Sequence, residues 1–290
     1  MTHLVLALSL ALSAFATNTP PQASADATTA MQKRVLAALT GETEITPGLK
    51  LANRFAIENR RPSRDLLVAT LSDMGLAAQR HAYSAEGENV WAELKSGKAG
   101  AEAIVIGAHY DSVRLAPGAN DDGTGVVIVL GIARELMRAK PATRDVIFVF
   151  FDEEERGLLG SRAFAQMLKD TNRSVHSVHT IDQVGWDSNK NRAIELELPF
   201  EGIVDVYKSA AARLNMNIPI HITAEAGSDH TAFRRLGFNA VGITEEYRNK
   251  DTTPHYHKAA DTFGTVDFDY LAATTRLMVE VFRQLTQEVR

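Results

Sequence analysis

Short polar clusters carry the groups that could do chemistry in this chain. In order they are His109-x-Asp111, Asn120-Asp121-Asp122-Gly123, the acidic run Asp152 to Glu155, and Asp182. Ser228-Asp229-His230 and His255-Tyr256-His257 follow, with Asp261 behind the last. Imidazoles mixed with carboxylates suit hard or borderline divalent metals. The chain has no cysteine, which removes thiolate ligands, a cysteine nucleophile and disulfides. A metal here must therefore sit on His, Asp and Glu. Singly each cluster is ordinary, since His-x-Asp is common and a lone strand-end Asp is often a turn former. His81, His176, His179 and His221 lack such company and read as surface or core histidines.

What makes the set specific is where apolar segments stop. Val146 to Phe151 is an unbroken run of β-branched and aromatic residues, the pattern of a strand buried on both faces. It ends at Asp152, Glu153, Glu154 and Glu155, like charges that need solvent, a proton or a cation to offset their repulsion. Ala103 to Ile106 is a second such strand, running into His109. Val175 to Val184 is a third, carrying Asp182. In open α/β sheets ligands bind at the carboxyl ends of the strands.

Helical patterns separate these strands. The segment 123–139 is apolar nearly all round and reads as a deeply packed helix. Further helices are expected at 161–169, 201–214, 229–236 and 267–288, and strands at 76–83, 89–94, 194–198, 218–223 and 239–244. Near the front, Thr28 to Leu39 and Leu49 to Asn59 read as helices. A third is expected to open at Arg61-Pro62-Ser63 with Ser63 as its cap, and to stop at Gly75. Alternation of strands with helices predicts a single-domain α/β fold, a mostly parallel sheet sandwiched between helices.

The 290 residues suffice for one large α/β domain with a sizeable core. A net charge of −5 without a long basic stretch argues against nucleic acid as a partner. Residues 1–16 read as a secretory signal: the run Leu4 to Phe15 is too short to span a bilayer, and Ala14-Phe-Ala16 is an A-x-A cleavage pattern. Residues 17–30 read as a flexible lead or pro-segment, and 31–290 as the domain. The expectation is a secreted or periplasmic protein with no stable membrane anchor.

The order GAHYDSV, GANDDGTG, FDEEERGLLGS, TIDQVGW, SDHTAF and HYHKAADT resembles the M28 family of zinc aminopeptidases, over about residues 60–290. The resemblance implies a mixed eight-stranded sheet and two zinc ions sharing a bridging carboxylate. Carried over by position, His109 and Asp182 would hold one zinc, Glu155 and His257 the other, and Asp121 would bridge them. Asp111 would fix the tautomer of His109, Glu154 would be the general base, and Tyr256 would steady the oxyanion. Substrates would be peptides with a free N-terminus. Between Glu153/Glu154 and Glu154/Glu155 as the working pair, the family spacing Glu-Glu-x-Gly-Leu-x-Gly-Ser fits only the second. Adjacent residues at a strand end point opposite ways, so both can serve only if the strand bends there. Ser228-Asp229-His230 matches a family motif and is expected behind the ligands, or as a cap for the next helix.

The chain departs from the family pattern at Gln183, where an apolar residue is usual, at Lys258, where Thr is frequent, and in the arm 26–60. Three other readings compete, one of them a metal carboxypeptidase of the related M20 kind, for whose second domain the 74 residues between Asp182 and His257 leave no room. A glutaminyl cyclase shares a related fold but uses one zinc. A non-catalytic binding protein of this fold would have shed ligands.

Overall fold

The computed structural model describes residues 21–139, 141 and 143–287. The expected signal segment 1–16 and residues 17–20 of the lead lie outside them. Helix α1 (Pro21–Leu39) comes first, beginning seven residues before Thr28, where a helix was expected. It is followed by α2 (Ile57–Asp73), β1 (Gln79–Ala82), β2 (Glu88–Leu94) and β3 (Ala103–His109). Next are α3 (Gly125–Ala139), β4 (Asp145–Phe151), α4 (Leu159–Asp170), β5 (Val175–Ile181) and β6 (Ile194–Glu197). The series closes with α5 (Ile203–Arg213), β7 (Ile220–Thr223), α6 (His230–Arg235), β8 (Ala240–Thr244) and α7 (Phe268–Thr286).

One eight-stranded sheet has the order β1-β2-β4-β3-β5-β8-β6-β7. The central strands β4, β3, β5 and β8 are mutually parallel, while β2 pairs antiparallel with β4 and β6 with β8. Strand β4 shows why this arrangement forms. All seven of its residues are buried, and successive side chains of a strand point to opposite faces. Val146, Phe148 and Phe150 enter the larger core beneath α1, α2, α3, α5 and α7. Ile147, Val149 and Phe151 enter the other, beneath α4 and α6. The apolar residues at every position from Val146 to Phe151 thus fill two cores, and truncating one such Phe to Ala costs about 3–5 kcal/mol. No helix among the described residues is long and apolar enough to cross a membrane.

Parallel pairing sets the chemistry. His109 pairs with Phe151 across β3 and β4, and Gly107 pairs with Thr180 across β3 and β5. The carboxyl ends of three adjacent strands therefore open on one edge of the sheet, with Asp152–Glu155 and Asp182 beside His109.

The front of the chain differs from expectation. Residues 49–56 are not helical, and α2 starts at Ile57, runs through Pro62 and encloses Ser63. Ser63 is not a cap; its hydroxyl donates to Asn59 O one turn back. The side-chain oxygen of Asn53 accepts the amide of Phe55, a local turn that competes with helix. Arg54 is held instead by tertiary partners. Its amide donates to Ser112 Oγ at 2.9 Å, and its guanidinium to Tyr110 O, Leu39 O, Pro117 O and Gly118 O. The arm thus clasps the loop after β3, and the charge of Arg54 is wholly buried because four carbonyls satisfy it.

Candidate metal centre

Between β3 and α3 the chain forms a wide turn, Ala119–Thr124, with every residue buried. The Asp121–Asp122 peptide in it is cis. Asp261 holds this turn by accepting the amides of Asn120 and Asp121 at 2.8 and 3.1 Å. The Asp121 carboxylate lies between two imidazoles: Oδ1 is 3.2 Å from His109 Nε2, and Oδ2 is 3.1 Å from His257 Nε2. Asp182 Oδ1 stands 3.7 Å from His109 Nε2, and Glu155 Oε2 stands 3.1 Å from His257 Nε2. The result is two potential cation sites, His109-Asp121-Asp182 and Asp121-Glu155-His257, with Asp121 common to both.

Donor chemistry fits a divalent cation at each position. The ligand atoms are imidazole nitrogens and carboxylate oxygens. Asp182 Oδ1 and Glu155 Oε1 are buried without a hydrogen-bond partner, and orphaned buried acceptors of this kind call for an ion. Electrostatics agrees. Burial, then the charge of Asp121, pushes Glu155 up to about 8. Against its own burial, Asp121 is held down to about 2 by hydrogen bonds from His109 and His257.

The acidic run divides its labour. Asp152 and Glu153 face away from the centre, onto arginines of α2. Arg60 Nε is 2.8 Å from Asp152 Oδ1 and its Nη2 3.0 Å from Glu153 Oε1, while Arg64 Nη2 is 2.6 Å from Asp152 Oδ2. Glu153 then turns left-handed (φ 57, ψ 37), and Glu154–Arg156 form one 3-10 turn. That bend lets Glu154 and Glu155 both approach the site. It is also why Gly160 is glycine: a Cβ there would collide with Asp152 O and Asn89 Oδ1. Burial and the charges of Asp229, Asp182 and Asp111 hold Glu154 well above the usual carboxylate range, against the pull of His109.

Asp111 lies 3.5 Å from His109 Nδ1, and its two oxygens accept the amides of Glu154 and Glu155 at 3.0 and 3.3 Å. Tyr256 is 40% exposed and stacks on the His257 ring with centroids 3.8 Å apart. Ser228 donates to Asp182 Oδ2 at 2.7 Å. Asp229 is buried at the start of α6 but caps nothing, and burial lifts it to about 7. His230 lies 3.7 Å from Glu197. The predicted residues thus gather at one edge of the sheet.

One member of the cluster carried no expected role. Asp122 is fully buried; Oδ2 accepts the His109 amide at 3.2 Å, while Oδ1 accepts the Gly125 and Gln183 amides at 2.9 and 3.2 Å. It ties the end of β3, the start of α3 and the end of β5 together. Its adjacency to Asp121 was the only hint in the sequence.

The model of peptidase family M28 matches residues 89–282, which include every candidate ligand. Leucine aminopeptidase 1 of Ajellomyces dermatitidis is 30% identical over 203 residues, 63% of this chain and 52% of that protein. The chain spans about half the length of the curated relatives it matches. LapB from Legionella pneumophila superposes with TM-score 0.78 at 23% identity, over 93% of this chain and 76% of that one. A glutaminyl cyclase from Porphyromonas gingivalis reaches 0.73 at 21% identity, over 90% and 98% respectively. These two share the fold with this chain, and the family match, spanning most of its length, assigns the chain to peptidase family M28.

Proposed function

We propose that this protein is a metal-dependent aminopeptidase that removes the N-terminal residue of peptides at a dinuclear zinc centre. His109 and Asp182 would hold one ion, Glu155 and His257 the other, and Asp121 both. The observation that carries the reading is the position of Asp121, one oxygen within 3.2 Å of His109 and the other within 3.1 Å of His257. Zinc bound there supplies a polarised scissile carbonyl and a water acidified to a pKa of about 7.

The chain's own residues do the rest. Glu154 takes the proton of the attacking water and hands it to the leaving amine. Asp111 keeps His109 in the tautomer that presents Nε2 inward. Tyr256 donates its hydroxyl to the oxyanion. Crowded carboxylates favour a substrate that brings a free α-ammonium group, so each cut falls one residue from the N-terminus. Residues 1–16 support export, and the substrates are then extracytoplasmic peptides.

The test uses one preparation. Zinc per chain is counted, then a leucyl chromogenic amide, its N-acetylated twin and an N-terminal glutaminyl peptide are offered with and without chelator. Two zincs and chelator-sensitive cleavage of the free-amine substrate alone are expected. The similarity to a glutaminyl cyclase over nearly all of that enzyme makes cyclisation the second reading. One zinc, with ammonia released from the glutaminyl peptide and no cleavage, would replace the peptidase by it.

A further inference from the structure

We infer that Arg114 recognises a carboxylate on the leaving side of the substrate, so that short peptides with a free C-terminus are preferred. This rests on the aminopeptidase reading above.

Phe55, on the arm before α2, lies between two guanidinium groups. Arg114 is 4.5 Å from its ring centroid and Arg156 4.6 Å. The two cations are not equivalent. Arg156 is engaged by Glu153 at 2.8 Å and by Phe55 O at 3.1 Å. Arg114 has no carboxylate or hydrogen-bond partner among the described residues, and its guanidinium lies over the Phe55 ring. It is nonetheless not a free-swinging side chain. Its loop is fixed at Asp111 by the amides of Glu154 and Glu155, and at Pro117 and Gly118 by the buried Arg54. An unpaired guanidinium on an anchored loop, laid on an aromatic face, is pre-organised to bind an anion.

Its position selects the anion. Arg114 is three residues from Asp111, so their Cα atoms are at most about 11 Å apart. The group that leaves must come within hydrogen-bond reach of Glu154, and Glu154 belongs to the same turn as Arg156. A substrate chain leaving on the Arg156 side of this turn would pass over Phe55. At about 3.5 Å per extended residue, a carboxylate two or three residues beyond the cut reaches Arg114. Leu115, 73% exposed beside it, offers apolar contact to the same segment.

The experiment compares Leu-Gly-Gly with Leu-Gly-Gly-amide on the zinc-loaded full chain. An exposed ion pair predicts kcat/KM for the free acid about fivefold higher, carried by KM. Arg114→Ala should bring the ratio to about one, and Arg114→Lys should restore part of it. Equal rates on acid and amide in the native protein, or a preference that survives Arg114→Ala, would overturn the inference while leaving the aminopeptidase intact. If neither peptide is cut and leucyl chromogenic amide is inert as well, the underlying reading falls and takes this one with it.

Discussion

Asp111 stands 3.5 Å from Nδ1 of His109 while its carboxylate oxygens take the amides of Glu154 and Glu155. One side chain thus orients a candidate ligand of the first potential cation site and the backbone that carries a candidate ligand of the second. Asp111→Ala should lower zinc affinity roughly ten- to hundredfold at both positions, because it frees the imidazole and the 3-10 turn together. Metal titration of the variant reads this directly. Native affinity at the Glu155–His257 position would show that the turn holds its shape without Asp111.

The sharing of Asp121 makes a different demand. Asp121→Asn puts an amide nitrogen against one imidazole, and binding should fall from roughly two ions per chain towards none, since metal free energy is coupled to the shape of the whole site. Metal analysis after dialysis against a defined free-zinc level distinguishes the outcomes. Loss of a single ion would mean that Asp121 serves only one of the two positions.

Glu154 and Glu155 are neighbours with separate proposed tasks. Glu154→Gln keeps the size of the side chain and leaves the proposed ligands in place. Both metals should remain, while kcat on a leucyl amide drops roughly a hundred- to ten-thousandfold. Robust turnover in that variant sinks Glu154 as the base.

How much of this could be read from the residues alone differs between the two halves of the chain. Val146–Phe151 predicted a doubly buried strand, and β4 has Phe148 and Phe150 in one core and Ile147 and Phe151 in the other. The choice of Glu154 and Glu155 as the pair rested on the family resemblance at Gly157, Leu158, Gly160 and Ser161 rather than on the residues alone, and Asp152 and Glu153 are the acids that pair with the arginines of α2. The arm was misread because helical spacing of apolar residues cannot show that a guanidinium will find carbonyls far along the chain. Arg54 leaves the helical path for Tyr110 O and Gly118 O. Asp122 was equally illegible, since its partners are the backbone amides of three separate elements.

The contacts of that arm imply a stability test. Arg60 and Asp152 are both fully buried at 2.8 Å, with Arg64 and Glu153 in the same network. Removing one partner from a buried ion pair costs up to about 3–5 kcal/mol, and the pairing of Asp152 with Arg64 offsets part of that here. Arg60→Met should lower the denaturation midpoint accordingly. It should also impair activity, because the turn bearing Glu154 begins at Glu153. A change below about 1 kcal/mol would show that Arg64 alone compensates Asp152.

His179, three residues before Asp182, supplies a separate pH dependence. It is wholly buried on β5, with Nδ1 3.0 Å from Tyr207 Oη, Nε2 3.1 Å from Ser177 Oγ, and the Phe282 ring 5.0 Å away. Burial, then the charge of His176, lowers it from 6.5 to about 3. The folded state keeps it neutral where the unfolded state binds a proton, so it does not weaken folding above pH 6.5. Stability is lost as pH falls from about 6.5 towards 3, by about 2 kcal/mol between pH 7 and pH 5. His179→Gln cannot take up that proton in either state. Urea unfolding at the two pH values, with chelator throughout to silence the metal centre, should therefore give a smaller pH difference for the variant than for the native chain. Identical differences would mean that His179 is protonated inside the folded core.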